Sequence, residues 1–105
     1  MSIVYINGLF THLCNAQVSI EDRGLCYGDG LFETLRASKG KIFRLEHHID
    51  RLLSSLPQIF IDLPMTRFEL MTVIQDTLAR NSHKEAVIRL TVTRGDTQSN
   101  IQINT

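Results

Sequence analysis

The sequence feature that most restricts the fold is a glycine-rich segment, residues 21–30, that leads directly into a strand-like run, residues 31–36. Gly24, Gly28 and Gly30 lack a Cβ atom, so they allow positive φ angles or close approach of a ligand. Residues 31–36 alternate in polarity, as a strand with one buried face does. The simplest interpretation is a tight turn into a strand, and the acidic residues beside it make the segment a candidate functional site.

The other patterns predict an α+β fold in which two helices cover a mostly antiparallel sheet. Strands are predicted over residues 3–6, 9–10, 18–20, 31–36, 42–45, 86–93 and 100–105. Asn7-Gly8 favours a hairpin turn between the first two strands. Apolar residues recur with helical spacing from Leu45 until Pro57 ends the first helix. Thr66 and Glu69 form a capping-box pattern before the second helix, which ends near residue 81.

The alternation within residues 31–36 assigns side chains to the two faces of the sheet. Glu33 shares a face with Leu31 and Leu35, whereas Phe32 points to the opposite face. Because an unpaired buried carboxylate is costly, Glu33 requires a cation or a hydrogen-bond donor nearby. Arg89 lies on the more polar face of the strand predicted over residues 86–93.

Composition excludes several classes of partner. The chain of 105 residues carries eleven basic and eleven acidic residues, so it lacks the positive field that attracts nucleic acid or an anionic membrane.

No metal site is predicted, because His47 and His48 point about 100° apart on a helix and have no third ligand nearby. The two cysteines are isolated, and neither a signal peptide nor a membrane span is present. We therefore expect one soluble, cytoplasmic domain.

Several motifs occur in a fixed order along the chain: Asp22-Arg23-Gly24-Leu25, Tyr27-Gly28-Asp29-Gly30-Leu31-Phe32-Glu33-Thr34, Gly40-Lys41, His48-Ile49-Asp50-Arg51-Leu52 and Thr93-Arg94-Gly95. Together they resemble the N-terminal domain of class IV (fold type IV) pyridoxal-phosphate enzymes. The glycine-rich segment is most similar to aminodeoxychorismate lyases, which form 4-aminobenzoate and pyruvate in folate synthesis. One alternative is a D-amino-acid or branched-chain aminotransferase of the same fold, and another is a noncatalytic dimerisation or anion-binding fragment.

The resemblance implies pyridoxal 5'-phosphate as the cofactor, a small-molecule substrate, and a homodimer with its active site between two domains. Arg51 matches the family arginine that binds the cofactor phosphate, although the helix pattern alone indicates a solvated side chain. Tyr27 and Phe32 match aromatic positions on the substrate side, and core packing is the alternative. Glu33 and Arg89 are further candidates there, with a structural role and a surface ion pair as their alternatives.

Two expected features of the family are missing from the sequence. The family's cofactor-binding lysine lies in a second domain, whereas Lys39, Lys41 and Lys84 are typical of solvated turns, so no catalytic residue is assigned. Residues 96–100 lack the carboxylate-binding arginine that is usual in lyases and D-amino-acid aminotransferases. We therefore expect residues 1–105 to be an N-terminal domain that is truncated before the lysine-bearing C-terminal domain and inactive alone.

Overall fold

A computed structural model of the chain describes residues 2–96 and 102–104, in which α2 (Leu45–Ser55) and α3 (Arg67–Asn81) cover one face of a six-stranded antiparallel sheet. A shorter helix, α1 (Arg23–Tyr27), precedes them. The strands are β1 (Ile3–Ile6), β2 (Leu9–His12), β3 (Gly30–Ser38), β4 (Lys41–Ile42), β5 (Ala86–Thr93) and β6 (Gln102–Asn104). The strand order is β2-β1-β6-β5-β3-β4. The predicted α+β class, with a mostly antiparallel sheet covered by two helices, is confirmed.

The centre of the sheet is the long pairing of β3 with β5, which runs from Gly30 opposite Thr93 to Ala37 opposite Ala86. Alternate residues of both strands point towards α2 and α3 and form the core. The fully buried side chains of this core are Leu35, Ile49, Leu52, Leu56, Leu70, Ile74, Leu90 and Val92. The opposite face of β3 and β5 carries exposed side chains, and we refer to it as the open face of the sheet.

Local signals determine where α2 and α3 begin and end. Helix α2 follows Arg44, which has a left-handed φ of 55°, and it gives way to a 3-10 helix (Leu56–Ile59) that contains Pro57. Helix α3 begins with the predicted capping box: Glu69 N donates to Thr66 Oγ1 at 3.1 Å, and Thr66 N donates to Glu69 Oε1 at 3.0 Å. These reciprocal bonds satisfy donors that a helix start leaves unpaired.

Two predicted strands differ from the structure. Residues 18–20 form no strand, because a turn at Ser19 takes up the local donors: Asp22 N donates to the Ser19 carbonyl and Glu21 N to the Ser19 hydroxyl. The strand predicted over residues 42–45 is instead β4, Lys41–Ile42. It ends early because the left-handed residue at position 44 turns the chain into α2.

The glycine-rich segment also differs from the predicted tight turn, because it contains the short helix α1. Asp22 caps the start of this helix by accepting a hydrogen bond from Leu25 N. Gly28 caps its end with a φ of 67°, a conformation that glycine adopts without a steric penalty. Asp22 and Gly28, residue types that are equally typical of a turn, therefore form the two caps of α1.

The remaining strand predictions agree with the structure where it can be compared. The β1–β2 hairpin turns at Asn7 and Gly8, which both have positive φ. Strand β6 lies within the strand predicted over residues 100–105 and pairs with β5 and β1, while residues 100, 101 and 105 lie outside the described residues. None of the helices in residues 2–96 has the length and apolar content needed to cross a lipid bilayer.

Candidate functional site

Hydrogen bonds around Asp22 hold the glycine-rich segment against the end of β5. The buried Asp22 carboxylate accepts from Leu25 N at 3.1 Å and from Thr93 Oγ1 at 2.7 Å. The Thr93 hydroxyl accepts from Gly95 N at 3.1 Å, and Arg23 N donates to Gly95 O at 2.8 Å. The Asp-Arg-Gly and Thr-Arg-Gly motifs therefore form one structural unit, although 71 positions separate Asp22 from Thr93.

Gly24 lies so close to Thr93 that a side chain at position 24 would require rearrangement. A Cβ atom built on Gly24 would clash with Thr93 Cγ2 and would lie 2.8 Å from Thr93 Cβ and 2.9 Å from Asp22 Oδ2. Both neighbours belong to the buried hydrogen-bonded unit, so neither can move without disturbing it. The packing of the two motifs therefore accounts for this glycine.

A second set of polar contacts attaches the end of the glycine-rich segment to the chain beyond α2. Asp29 Oδ2 accepts from Arg94 Nε at 2.7 Å and from Arg23 Nε at 3.1 Å. The Arg94 guanidinium also donates to the carbonyls of Ile59 and Phe60. The hydrogen bond from Arg94 is the main reason that the pKa of Asp29 is lowered; partial burial opposes the shift and Arg23 adds to it.

The most organised group of charges is the cluster of Glu33, His48 and Arg51, which we call the Glu33 cluster. Strand β3 supplies Glu33, and α2 supplies His48 and Arg51 one turn apart. Arg51 donates from Nε to Glu33 Oε2 and from Nη2 to Glu33 Oε1, both at 2.9 Å. His48 Nδ1 lies 2.7 Å from Glu33 Oε1. The buried carboxylate thus has the cationic partner that the strand alternation required.

The Glu33 cluster places its carboxylate inside and its guanidinium outside. The side chain of Glu33 is 6% exposed, whereas that of Arg51 is 62% exposed. Burial acts to raise the pKa of Glu33, but the hydrogen bonds and charges of Arg51 and His48 outweigh it, so the pKa is lowered. The hydrogen bond to Glu33 raises the pKa of Arg51. Glu33 is therefore ionised at neutral pH, and His48 Nδ1 is assigned as a donor to it.

The open face of the sheet holds a different group of candidate residues. The Arg89 guanidinium carbon lies 4.3 Å from the centroid of the Phe32 ring, within cation–π distance. A cleft of about 450 Å³ lies beside them. Its lining includes Asp22, Gly24, Gly30, Phe32, Arg89 and Thr93. Two of the candidate residues, Phe32 and Arg89, therefore lie together, next to the unit formed by the two motifs.

The structure places the other candidates apart from this pair. Glu33 points to the helix-covered face, so it belongs with Arg51 rather than with Phe32. Tyr27 lies at the end of α1 with its side chain exposed, and its ring centroid is 5.4 Å from the Arg23 guanidinium carbon. The three lysines at positions 39, 41 and 84 are all exposed.

The sequence assigns no role to His48, which appears only as the first residue of a family motif and beside His47 in a pair that is not predicted to bind metal. The signal that could have revealed it was its spacing of three residues from Arg51 on a predicted helix, which places both side chains on one surface. The roles of Asp29 and Thr93 were likewise missed. Their partners come from distant regions of the chain, and a single sequence does not reveal such pairing.

Comparison with known proteins identifies the family. The family model for amino-transferase class IV matches residues 30–104. A putative branched-chain-amino-acid aminotransferase of Methanocaldococcus jannaschii is 48% identical over 92 residues, which are 88% of this chain and 32% of the relative. A D-alanine aminotransferase of Staphylococcus haemolyticus is 40% identical over 95 residues, 90% of this chain and 34% of the relative. The chain thus spans about a third of the length of these curated relatives.

Solved structures give the same result. A branched-chain amino acid aminotransferase of T.th., complexed with N-(5'-phosphopyridoxyl)-L-glutamate, has a TM-score of 0.87 at 25% identity and matches 98% of this chain and 39% of its own. A branched-chain aminotransferase of Thermoproteus uzoniensis, solved with norvaline, has a TM-score of 0.86 at 28% identity and matches 98% and 39% of the two chains.

These relatives are aminotransferases, and they support the aminotransferase alternative rather than the aminodeoxychorismate lyase expected from the glycine-rich segment. The described fold is that of the small N-terminal domain of fold type IV aminotransferases. Because the family model covers most of the sequence, the chain belongs to the class IV amino-transferase family.

Proposed function

We propose that this chain is the N-terminal region of a pyridoxal-phosphate-dependent aminotransferase and that Arg51 binds the cofactor phosphate. The observation that carries the proposal is the two-point contact of Arg51 with buried Glu33. That contact uses the N–H of Nε and one N–H of Nη2. Both N–H groups of Nη1 therefore stay available. A guanidinium with a free edge matches the geometry of a phosphate group.

The residues present fit such a cofactor. Arg51 is mostly exposed, so a phosphate can reach it, while its orientation is set by a carboxylate on the strand beneath. Strand β4 pairs with β3 only at Ala37 and Ser38, so among the described residues β3 has no second strand neighbour between positions 31 and 35. This free edge is the side from which a ligand would approach Arg51.

This arrangement assigns separate tasks to the residues of the chain. Pyridoxal phosphate, when bound, supplies the electron-withdrawing ring that labilises bonds at the α-carbon of an amino acid. Arg51 binds and orients the phosphate. Phe32 packs on the substrate, and Arg89 donates to a substrate carboxylate from the open face. Lys39, Lys41 and Lys84 are solvated, and we propose that the 105-residue chain does not complete the reaction alone.

The phosphate assignment is tested by comparing pyridoxal phosphate with pyridoxal, which lacks the phosphate. Binding of both compounds to the chain is measured by absorbance titration. We expect the chain to prefer pyridoxal phosphate, and Arg51→Gln to remove most of that preference. Arg67→Gln is the matched control, because Arg67 is an exposed arginine that pairs with Asp50. Equal affinity of the unmodified chain for the two compounds would contradict the proposal.

The reaction class is tested with a chimera. The matching N-terminal third of the Methanocaldococcus jannaschii relative is replaced by this chain, and 2-oxo acid formation is followed with L-leucine and with D-alanine as amino donors. We expect amino-group transfer from at least one donor, and its loss in the Arg51→Gln chimera. A chimera that is folded and takes up pyridoxal phosphate, yet transfers no amino group from either donor, counts against the proposal.

We also propose that the working assembly is a homodimer. Exposed apolar side chains in the glycine-rich segment and directly before it support this proposal. Ile20, Leu25 and Tyr27 are all largely exposed, and such surfaces often mark contacts between proteins. Sedimentation equilibrium of the chimera gives the mass directly. We expect twice the chain mass, and replacement of Ile20 and Leu25 by serine should shift the equilibrium towards the monomer. A concentration-independent monomer mass would contradict the proposal.

A further inference from the structure

The Glu33 cluster has a property that the phosphate assignment alone does not require: the carboxylate is fixed before any ligand arrives. Glu33 is buried on β3, and both of its oxygens accept hydrogen bonds from α2. Oε2 accepts from Arg51 Nε, while Oε1 accepts from Arg51 Nη2 and His48 Nδ1. The carboxylate plane is therefore held from two directions.

Holding the carboxylate also holds the arginine. An exposed arginine ordinarily samples many rotamers, and a ligand that binds it loses affinity by ordering them. Here two parallel N–H···O contacts fix the plane of the guanidinium and select which edge faces solvent. Among the described residues, the outward Nη1 edge of Arg51 has no protein partner, so it remains available for an anion.

We propose that Glu33 and His48 are positioning residues for the phosphate of pyridoxal phosphate and that they act through Arg51. This inference rests on the proposed function, and it predicts whether Glu33 strengthens or weakens the binding of the phosphate. Glu33 carries a negative charge next to a site for a phosphate, so charge alone makes it unfavourable there. Its contribution to affinity is the orientation of Arg51, which outweighs the repulsion.

The Glu33→Gln substitution separates the repulsion of the phosphate from the orientation of Arg51. Glu33→Gln removes the repulsive charge and keeps the size of the side chain, but its amide nitrogen cannot accept from Arg51. We expect pyridoxal phosphate to bind about tenfold more weakly, the loss expected when a hydrogen bond to a charged group is broken. Binding of pyridoxal should not change. Unchanged or tighter binding of pyridoxal phosphate to Glu33→Gln would overturn the inference.

The double variant shows whether Glu33 acts through Arg51. In a chain that already carries Arg51→Gln, Glu33→Gln should have no further effect on the affinity for pyridoxal phosphate, because there is no guanidinium left to orient. A purely structural role for Glu33 would instead lower affinity by the same factor in both backgrounds. Additive losses would therefore overturn the inference, and full coupling supports it. Urea unfolding of each variant checks that the protein is folded under the conditions of the binding measurements.

Arg51→Lys provides a second test that leaves the buried carboxylate in place. Lysine keeps the positive charge but cannot make the two-point contact or present a planar edge. We expect it to bind pyridoxal phosphate about tenfold more weakly than the unmodified chain. Affinity equal to that of the unmodified chain would mean that charge suffices, and the inference would fail. If the unmodified chain does not prefer pyridoxal phosphate over pyridoxal, the proposed function itself fails instead.

Discussion

Glu33 combines burial with ionisation, and this combination makes the stability of the chain dependent on pH. Its pKa in the folded chain lies below the ordinary value of 4.5. The ionised carboxylate therefore contributes its full stabilisation above about pH 4.5, and this contribution is lost as pH falls through the lower folded pKa. At neutral pH we expect Glu33→Gln to lower the free energy of unfolding by about 2 kcal/mol.

Urea unfolding of the two proteins between neutral and acidic pH tests this prediction. The difference in unfolding free energy should shrink as pH falls through the folded pKa of Glu33. Asp29 and Asp50 also have lowered pKa values, because of Arg94 and Arg67 respectively. Both carboxylates are present in the two proteins, so their contributions cancel in the difference. A difference that stays constant over the whole range would show that the charge of Glu33 does not stabilise the fold.

Gly24 provides a second prediction at the residue scale. Gly24→Ala should lower the free energy of unfolding by about 1–3 kcal/mol, because the new methyl group overlaps the side chain of Thr93. Thr93→Ser removes the clashing Cγ2 and keeps the hydroxyl that donates to Asp22. In a thermal-unfolding double-mutant cycle, Gly24→Ala should therefore be less destabilising when Thr93 is serine. If Gly24→Ala lowers the free energy of unfolding equally with threonine and with serine at position 93, the Cγ2 atom of Thr93 is not the cause of the destabilisation.

Among the helices and strands, α3 has a start that is set by residues close together in the sequence, Thr66 and Glu69. This start can therefore be tested by a single substitution. Thr66→Ala removes the acceptor for Glu69 N and should lower the free energy of unfolding by about 1 kcal/mol. Thr66→Ser retains the oxygen and should have a much smaller effect. Chemical unfolding of the three proteins checks this prediction, and equal destabilisation by alanine and serine would show that the hydroxyl is not the important group.

The same distinction between local and distant signals explains which elements could be predicted. The capping box at Thr66 and Pro57 after α2 are local, so the helix boundaries were predicted well. Strand β4 ends early because of the left-handed backbone of Arg44, and residues 18–20 form no strand because of the turn at Ser19. The conformation of Arg44 has no signature in the side-chain pattern, and a single serine does not distinguish a turn from a strand. For the Glu33 cluster, alternation predicted that Glu33 needs a partner, but only the packing of α2 on β3 identified His48 and Arg51 as that partner.

At the scale of the whole molecule, stability depends on the one face of the sheet that α2 and α3 cover. Leu90 lies at the centre of this face and is fully buried, whereas Val87 on the same strand is 64% exposed. We expect Leu90→Ala to lower the free energy of unfolding by about 2–5 kcal/mol. Val87→Ala should cost less than about 1 kcal/mol. Urea unfolding measures both, and similar losses would mean that the core extends to the open face.

The pairing of β3 with β5 also determines when the protein can fold during its synthesis. The two strands are direct neighbours, yet α2 and α3 lie between them in the sequence. As the chain leaves the ribosome, β3 and both helices emerge before the strand that completes the core. Contacts between such distant segments form slowly. The nascent chain therefore carries an unpaired strand edge until residue 93 has emerged, and chaperones that bind such edges have most access during that interval.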